Sequence, residues 1–125
     1  PPMLTRHGWL VVYHGVRKMD AAEAGGEQRR LCYSAGAMML SETYPRFIRH
    51  RSPTPVLTPT LPLECKGTIA NVVFPTGIDR RDDLGAPERF DIYYGMADDR
   101  IGAARLDVPD FLPTSAVVDA PRKRI

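Results

Sequence analysis

The residues Val12-Tyr13-His14-Gly15 and, after a loop, Ala35-Gly36-Ala37-Met38-Met39-Leu40 return later in altered form. The second copy is Ile92-Tyr93-Tyr94-Gly95 followed by Ile101-Gly102-Ala103-Ala104-Arg105-Leu106. Each copy reads as a strand closing on aromatic-x-Gly, then a turn, then a strand that opens on Gly-Ala and reaches a leucine. A small antiparallel unit used twice is the building principle of a β-propeller, in which four-stranded sheets stand radially around a channel. A closed ring needs roughly four to eight such blades. The expectation is therefore an all-β chain forming about two blades of a propeller, a partial domain.

Working outward, six runs rich in β-branched and aromatic residues are too short for helices: Trp9–His14, Leu31–Leu40, Arg46–Arg49, Asn71–Ile78, Phe90–Tyr94 and Ile101–Val108. Val11-Val12 and Val72-Val73 are continuous apolar pairs, as expected of strands covered on both faces. Leu31–Leu40 is ambiguous because Ala35, Ala37, Met38, Met39 and Leu40 form helices well; Gly36 and the surrounding strands favour a strand. Residues 17–30, with Gly25-Gly26, and 79–89, with Gly85 to Pro87, read as solvated hairpin loops. Residues 51–67, with Pro53, Pro55, Pro59 and Pro62, read as an extended connector. This predicts one blade over 1–55, a second over 56–113, and a solvated tail over 114–125 that carries Arg122-Lys123-Arg124.

Composition narrows the function. The 125 residues are 43% hydrophobic, enough for a core, and 17 basic against 15 acidic side chains leave a net charge of +2. Twelve prolines are about twice the usual ~5% share, which disfavours a helical bundle. Trp9–Tyr13 is the longest apolar run, far below the ~20 residues of a membrane-spanning helix. The basic residues are interleaved with acids, so no nucleic-acid partner is implied. Cys32 and Cys65 form no framework and no Cys-x-x-Cys pair, which points to a reducing cytoplasm. The chain opens Pro1-Pro2-Met3 without a signal segment, and it reads as a piece of a longer protein.

Several residues carry chemistry. His14, at a strand end beside Gly15, can donate to a phosphate or sugar oxygen; its plain alternative is an ordinary turn histidine. Asn71 opens the run Val72-Val73-Phe74-Pro75-Thr76-Gly77 and offers both donor and acceptor to a vicinal diol, or else closes the preceding turn with its own side chain. Asp98, just past Tyr93-Tyr94-Gly95, suits a carbohydrate site, where rings stack on sugar faces and carboxylates accept hydroxyl bonds. A hairpin-turn role competes for Asp98 and Asp99. Tyr33 is a candidate ring platform or a core aromatic, and Trp9 is read as core. His7, His14 and His50 are too scattered to hold a metal. Gly25-Gly26-Glu27 is no phosphate loop, and no Gly-x-Ser-x-Gly elbow occurs.

Taken together these strings resemble glycoside hydrolase family 130, the β-mannoside phosphorylases and related mannosidases. The resemblance runs through Gly8-Trp9-Leu10-Val11-Val12-Tyr13-His14-Gly15-Val16, Tyr33 before Gly36-Ala37, and Arg51-Ser52-Pro53-Thr54-Pro55-Val56-Leu57. It continues through Asn71–Gly77, Tyr93-Tyr94-Gly95-Met96-Ala97-Asp98 and Ile101-Gly102, in order from residue 1 to about 113. It implies the C-terminal part of a five-bladed propeller. His14 would contact phosphate, while Tyr33, Asn71 and Asp98 would contact the sugar. The implied reaction is inverting phosphorolysis of a β-mannoside or manno-oligosaccharide to mannose 1-phosphate, with inorganic phosphate as co-substrate and no other cofactor.

The general-acid aspartate lies upstream in that family, so this segment holds no catalytic residue and is expected to be inactive alone. Its open blade edges imply association, as a homo-oligomer or with further blades. The segment departs from the family at Ala70, where proline is usual, and at Ser34, where an arginine commonly follows the tyrosine. Loops 17–30 and 79–89 are longer than expected. Two rival readings are a β-mannosidase that uses water in place of phosphate, and a non-catalytic carbohydrate-binding β-protein.

Overall fold

The computed structural model describes residues 1–23, 30–84 and 88–112; the expected tail, Gly25-Gly26-Glu27 and the Gly85–Pro87 turn lie outside them. Among the described residues seven strands appear, β1 (Met3–Thr5), β2 (Gly8–Lys18), β3 (Leu31–Leu40), β4 (Ile48–Arg51), β5 (Val73–Arg80), β6 (Arg89–Met96) and β7 (Arg100–Asp107). They form a four-stranded sheet in the order β1-β2-β3-β4 and a three-stranded sheet in the order β5-β6-β7. Every neighbouring pair is antiparallel. The all-β reading holds. Among the described residues no helix is long and apolar enough to cross a membrane.

The ambiguous run is a strand throughout. β3 pairs with β2 from Leu31↔Lys18 to Leu40↔Trp9 and with β4 on its other side. Ladder bonds to both neighbours outweigh the helix preference of its Ala, Met and Leu residues. Gly36 is needed there because a Cβ would come within 2.5 Å of the Tyr13 ring, which lies across it.

Alternation within the strands sets the core. Leu10 and Met39 of the first sheet pack with Phe90 and Ile92 of the second and with Val108 just past the end of β7. Beside them Ala35 meets Val73, Tyr94 and Met96. Trp9 departs from its core reading: it is only partly buried, because it alternates with Leu10 and so takes the other face of β2. Arg6 fastens the β1–β2 turn to the second sheet through an ion pair with Glu88 at 3.1 Å and a hydrogen bond to the Val108 carbonyl.

Two elements depart from expectation. Met3–Thr5 adds a short edge strand, and the expected extended connector contains a helical turn, α1 (Pro62–Cys65). Proline at the first helical position supplies the right φ and lacks only an amide that would go unpaired, and Glu64 two residues later returns to cap the turn. A further 3₁₀ turn at Asp82–Leu84 sits in the β5–β6 hairpin.

Candidate functional site

The inner register of β2 and β3 places His14 opposite Ala35 and Val16 opposite Tyr33, so these side chains share one sheet face. His14 is exposed to solvent. Its ring stacks on Phe74 at 4.2 Å between centroids and 30° between planes, and stands 6.2 Å from the Tyr33 ring. Phe74 comes from the start of β5 and stays 37% exposed, because Gly95 opposite it on β6 provides no side chain to cover it. The aromatic pair thus bridges the two sheets. Sequence reading did not single out Phe74 as a site residue.

Next to this stack lies a cavity of about 280 Å³ lined by Tyr33, Ile69, Val72, Phe74, Thr76, Gly95 and Asp98. Asp98 reaches it from the turn between β6 and β7, where Asp99 N–H donates to the Met96 carbonyl at 3.0 Å. Both central residues of that turn are left-handed, Ala97 at φ 50° and Asp98 at φ 53°. This is the sign of φ that a tight hairpin turn with right-handed strand twist requires. Aspartate tolerates it; alanine does so at a cost of ~1–2 kcal/mol. Ala97 is held there by two backbone bonds, its N–H to the Val72 carbonyl and its carbonyl from Ile69 N–H, each 2.9 Å.

Asn71 takes a different place. It does not line the cavity, although the next residue, Val72, does. Its backbone is left-handed at φ 58°, a conformation asparagine accepts readily. Its N–H donates to the Cys65 carbonyl at 3.1 Å and its carbonyl accepts from Tyr33 N–H at 3.0 Å. The fold therefore brings Tyr33 and Asp98 to one cavity, sets His14 beside it on Phe74, and leaves Asn71 one residue behind its wall.

The connector supplies a residue that sequence reading missed. Glu64 Oε1 accepts from Thr60 and Leu61 N–H at 3.0 and 2.9 Å, and Oε2 accepts from the Tyr94 hydroxyl at 2.6 Å. Burial pushes the carboxyl upward, but the bonds from Tyr94, Leu61 and Thr60 outweigh it and hold Glu64 below its ordinary pKa. Burial and the same carboxylate push the Tyr94 phenol up to about 12. A signal was present in Pro62-Leu63-Glu64, proline at the first helical position and glutamate at the third.

Two aromatic rings, a carboxylate and the Thr76 hydroxyl, with no lysine or arginine among the lining residues, suit a neutral polyhydroxylated ligand better than an anion. A larger hollow of about 410 Å³ on the opposite face of β2 and β3 includes Arg17 and Arg51. There Arg17 is paired with Glu23, and Arg51 lies on the Tyr13 ring and donates to its hydroxyl.

Residues 1–114 match the family described as beta-1,4-mannooligosaccharide phosphorylase, glycoside hydrolase family 130. The chain belongs to glycoside hydrolase family 130. Within this family it is 34% identical over 110 residues to a 1,2-beta-oligomannan phosphorylase of Thermoanaerobacter sp. (strain X514), covering 88% of this chain and 32% of that one. It is also 34% identical over 109 residues to a beta-1,4-mannooligosaccharide phosphorylase of Ruminococcus albus, covering 87% and 29%. Among solved structures, the beta-1,2-mannobiose phosphorylase of Listeria innocua in complex with beta-1,2-mannobiose superposes with a TM-score of 0.66 at 27% identity. That match covers 85% of this chain and 26% of the other. This family 130 chain spans about a third or less of the length of these relatives.

Proposed function

We propose that residues 1–55 and 56–113 form two neighbouring blades of a five-bladed propeller and supply one wall of the sugar site of a β-mannoside phosphorylase. The observation that carries this reading is the meeting of Tyr33, Phe74 and Asp98 around one cavity, with His14 stacked on Phe74 at its side, in a chain of this family. Tyr33 and Phe74 offer ring faces to a mannose unit, and Asp98 accepts its hydroxyls. His14, exposed and held flat on Phe74, donates to phosphate. Asn71, expected from the sequence to contact the sugar, instead sets the backbone behind the wall through its bonds to Cys65 and Tyr33.

In the reaction an oxygen of inorganic phosphate attacks the anomeric carbon from the face opposite the glycosidic bond. That bond breaks as a general acid gives its proton to the departing sugar oxygen, and inversion leaves α-mannose 1-phosphate. The multiply charged nucleophile needs several basic groups around it. His14 is one member of that set. The other members and the general acid belong to the remaining two-thirds of the relatives' length, so residues 1–125 alone are expected to be inactive. Further blades or second copies would pair with the open strand edges. A cytoplasmic location suits the two free cysteines.

The test is product analysis with β-1,2- and β-1,4-linked mannobiose, with and without inorganic phosphate, on the full polypeptide that carries these residues. Mannose 1-phosphate formed only when phosphate is present supports the reading. Free mannose regardless of phosphate means a mannosidase, binding without turnover means a carbohydrate-binding protein, and neither binding nor turnover overturns the proposal.

A further inference from the structure

Glu64 has only 1% of its surface exposed, and a carboxylate is costly to bury unless its lone pairs are engaged. Capping a four-residue helical turn does not itself require burial. The neighbours of Glu64 explain it better. Its carbonyl accepts from Val72 N–H at 3.1 Å, and the next carbonyl, that of Cys65, accepts from Asn71 N–H at 3.1 Å. From Asn71 the bonding passes to Tyr33, and from Val72 to Ala97, which leads Asp98 into its left-handed turn. On the side-chain end, the Tyr94 hydroxyl ties the same carboxylate to β6, the strand that feeds this turn.

We propose that Glu64 is a positioning residue for the sugar side of the cleft. It touches no ligand; through α1 and Tyr94 it fixes Tyr33, Asn71 and Asp98 with respect to one another. The inference rests on the mannoside reading of the cleft. His14 stands outside this set of bonds, on β2 and against Phe74, and that separation provides the test.

In the full polypeptide, mannobiose and phosphate are varied separately for the wild type and for Glu64→Ala, Glu64→Gln and Tyr94→Phe. Glu64→Ala raises the mannobiose KM on the order of 10- to 100-fold, the range for a small misplacement of binding groups. The phosphate KM stays within about twofold. Tyr94→Phe moves the mannobiose KM in the same direction by less. Glu64→Gln restores most of the affinity, since its carbonyl still accepts from Thr60 and Leu61 and its amide can donate to the Tyr94 oxygen.

A purely structural role would lower the active fraction, reducing kcat with both KM values unchanged, and that result overturns the proposal. So does an equal rise in the phosphate KM. If Glu64→Ala does not fold, Tyr94→Phe, which keeps its ring in the core, carries the same comparison. A wild type that cleaves mannobiose while these variants leave its KM unmoved sinks this inference alone. A wild type that neither binds nor cleaves it sinks the cleft reading and this inference together.

Discussion

Replacing Phe74 by alanine removes the surface on which the His14 imidazole rests. The rings lie 4.2 Å apart at 30°, and such a pair contributes about 0.5–1.5 kcal/mol beyond its area burial. At about 1.4 kcal/mol per tenfold, losing that orientation weakens a ligand bound through His14 by roughly 2- to 12-fold. The ring also lines the cavity, so the mannoside KM rises as well. Stability suffers less than at a fully enclosed ring, because Phe74 is 37% exposed while Phe90 is 0% exposed. Truncating a ring buried like Phe90 costs about 3–5 kcal/mol. The assay is steady-state phosphorolysis by the full polypeptide with phosphate varied at saturating mannobiose, beside urea unfolding of the same variants. Phe74→Tyr, which keeps the stack, stays near the wild type. A phosphate KM unchanged in folded Phe74→Ala would show that the stack does not hold His14 for an anion.

Three further outcomes follow from the geometry. Asp98→Ala raises the mannobiose KM and leaves the phosphate KM near that of the wild type, and equal effects on both would remove Asp98 from the sugar side. Gly36→Ala forces its Cβ to within 2.5 Å of Tyr13 Cζ, displacing a ring that also carries Arg51. The expected loss is about 1–3 kcal/mol, seen as a lower urea midpoint, and an unchanged midpoint would refute the packing. Because the folded Glu64 carboxyl lies below its ordinary value of 4.5, its contribution to stability is complete above that pH and fades as pH falls through the folded value. Tyr94, raised to about 12, contributes below its ordinary value of 10.0 and loses that contribution as pH rises through the folded value. Urea midpoints of the wild type and Glu64→Gln should therefore converge toward acid, and parallel profiles would contradict the assignment.

Much of the sheet structure was legible because its signals are local. The repeat of aromatic-x-Gly and Gly-Ala strands predicted β2, β3, β6 and β7. β1 escaped notice because its three residues carry no period of their own and exist by pairing with β2. The helical turn at Pro62–Cys65 escaped because four prolines nearby made the whole connector read as extended, although Pro62 and Glu64 start a helix. Trp9 was misplaced because large apolar residues are usually buried, whereas alternation against Leu10 decides which of two adjacent positions faces inward.

The amino-acid order alone determined that this chain pairs short strands, which residues can hydrogen-bond a sugar or an anion, and that it belongs with the mannoside-active family 130. These follow from periodicity, side-chain chemistry and motif order, all readable along one dimension. Only the tertiary structure decided that His14 of one sheet lies on Phe74 of the other, that Tyr33 and Asp98 share a cavity while Asn71 stands behind it, and that Glu64 is buried against Tyr94. Those contacts join residues 30 or more positions apart, as Glu64 and Tyr94 are. Their geometry is set by how the two sheets stack, which no local pattern encodes.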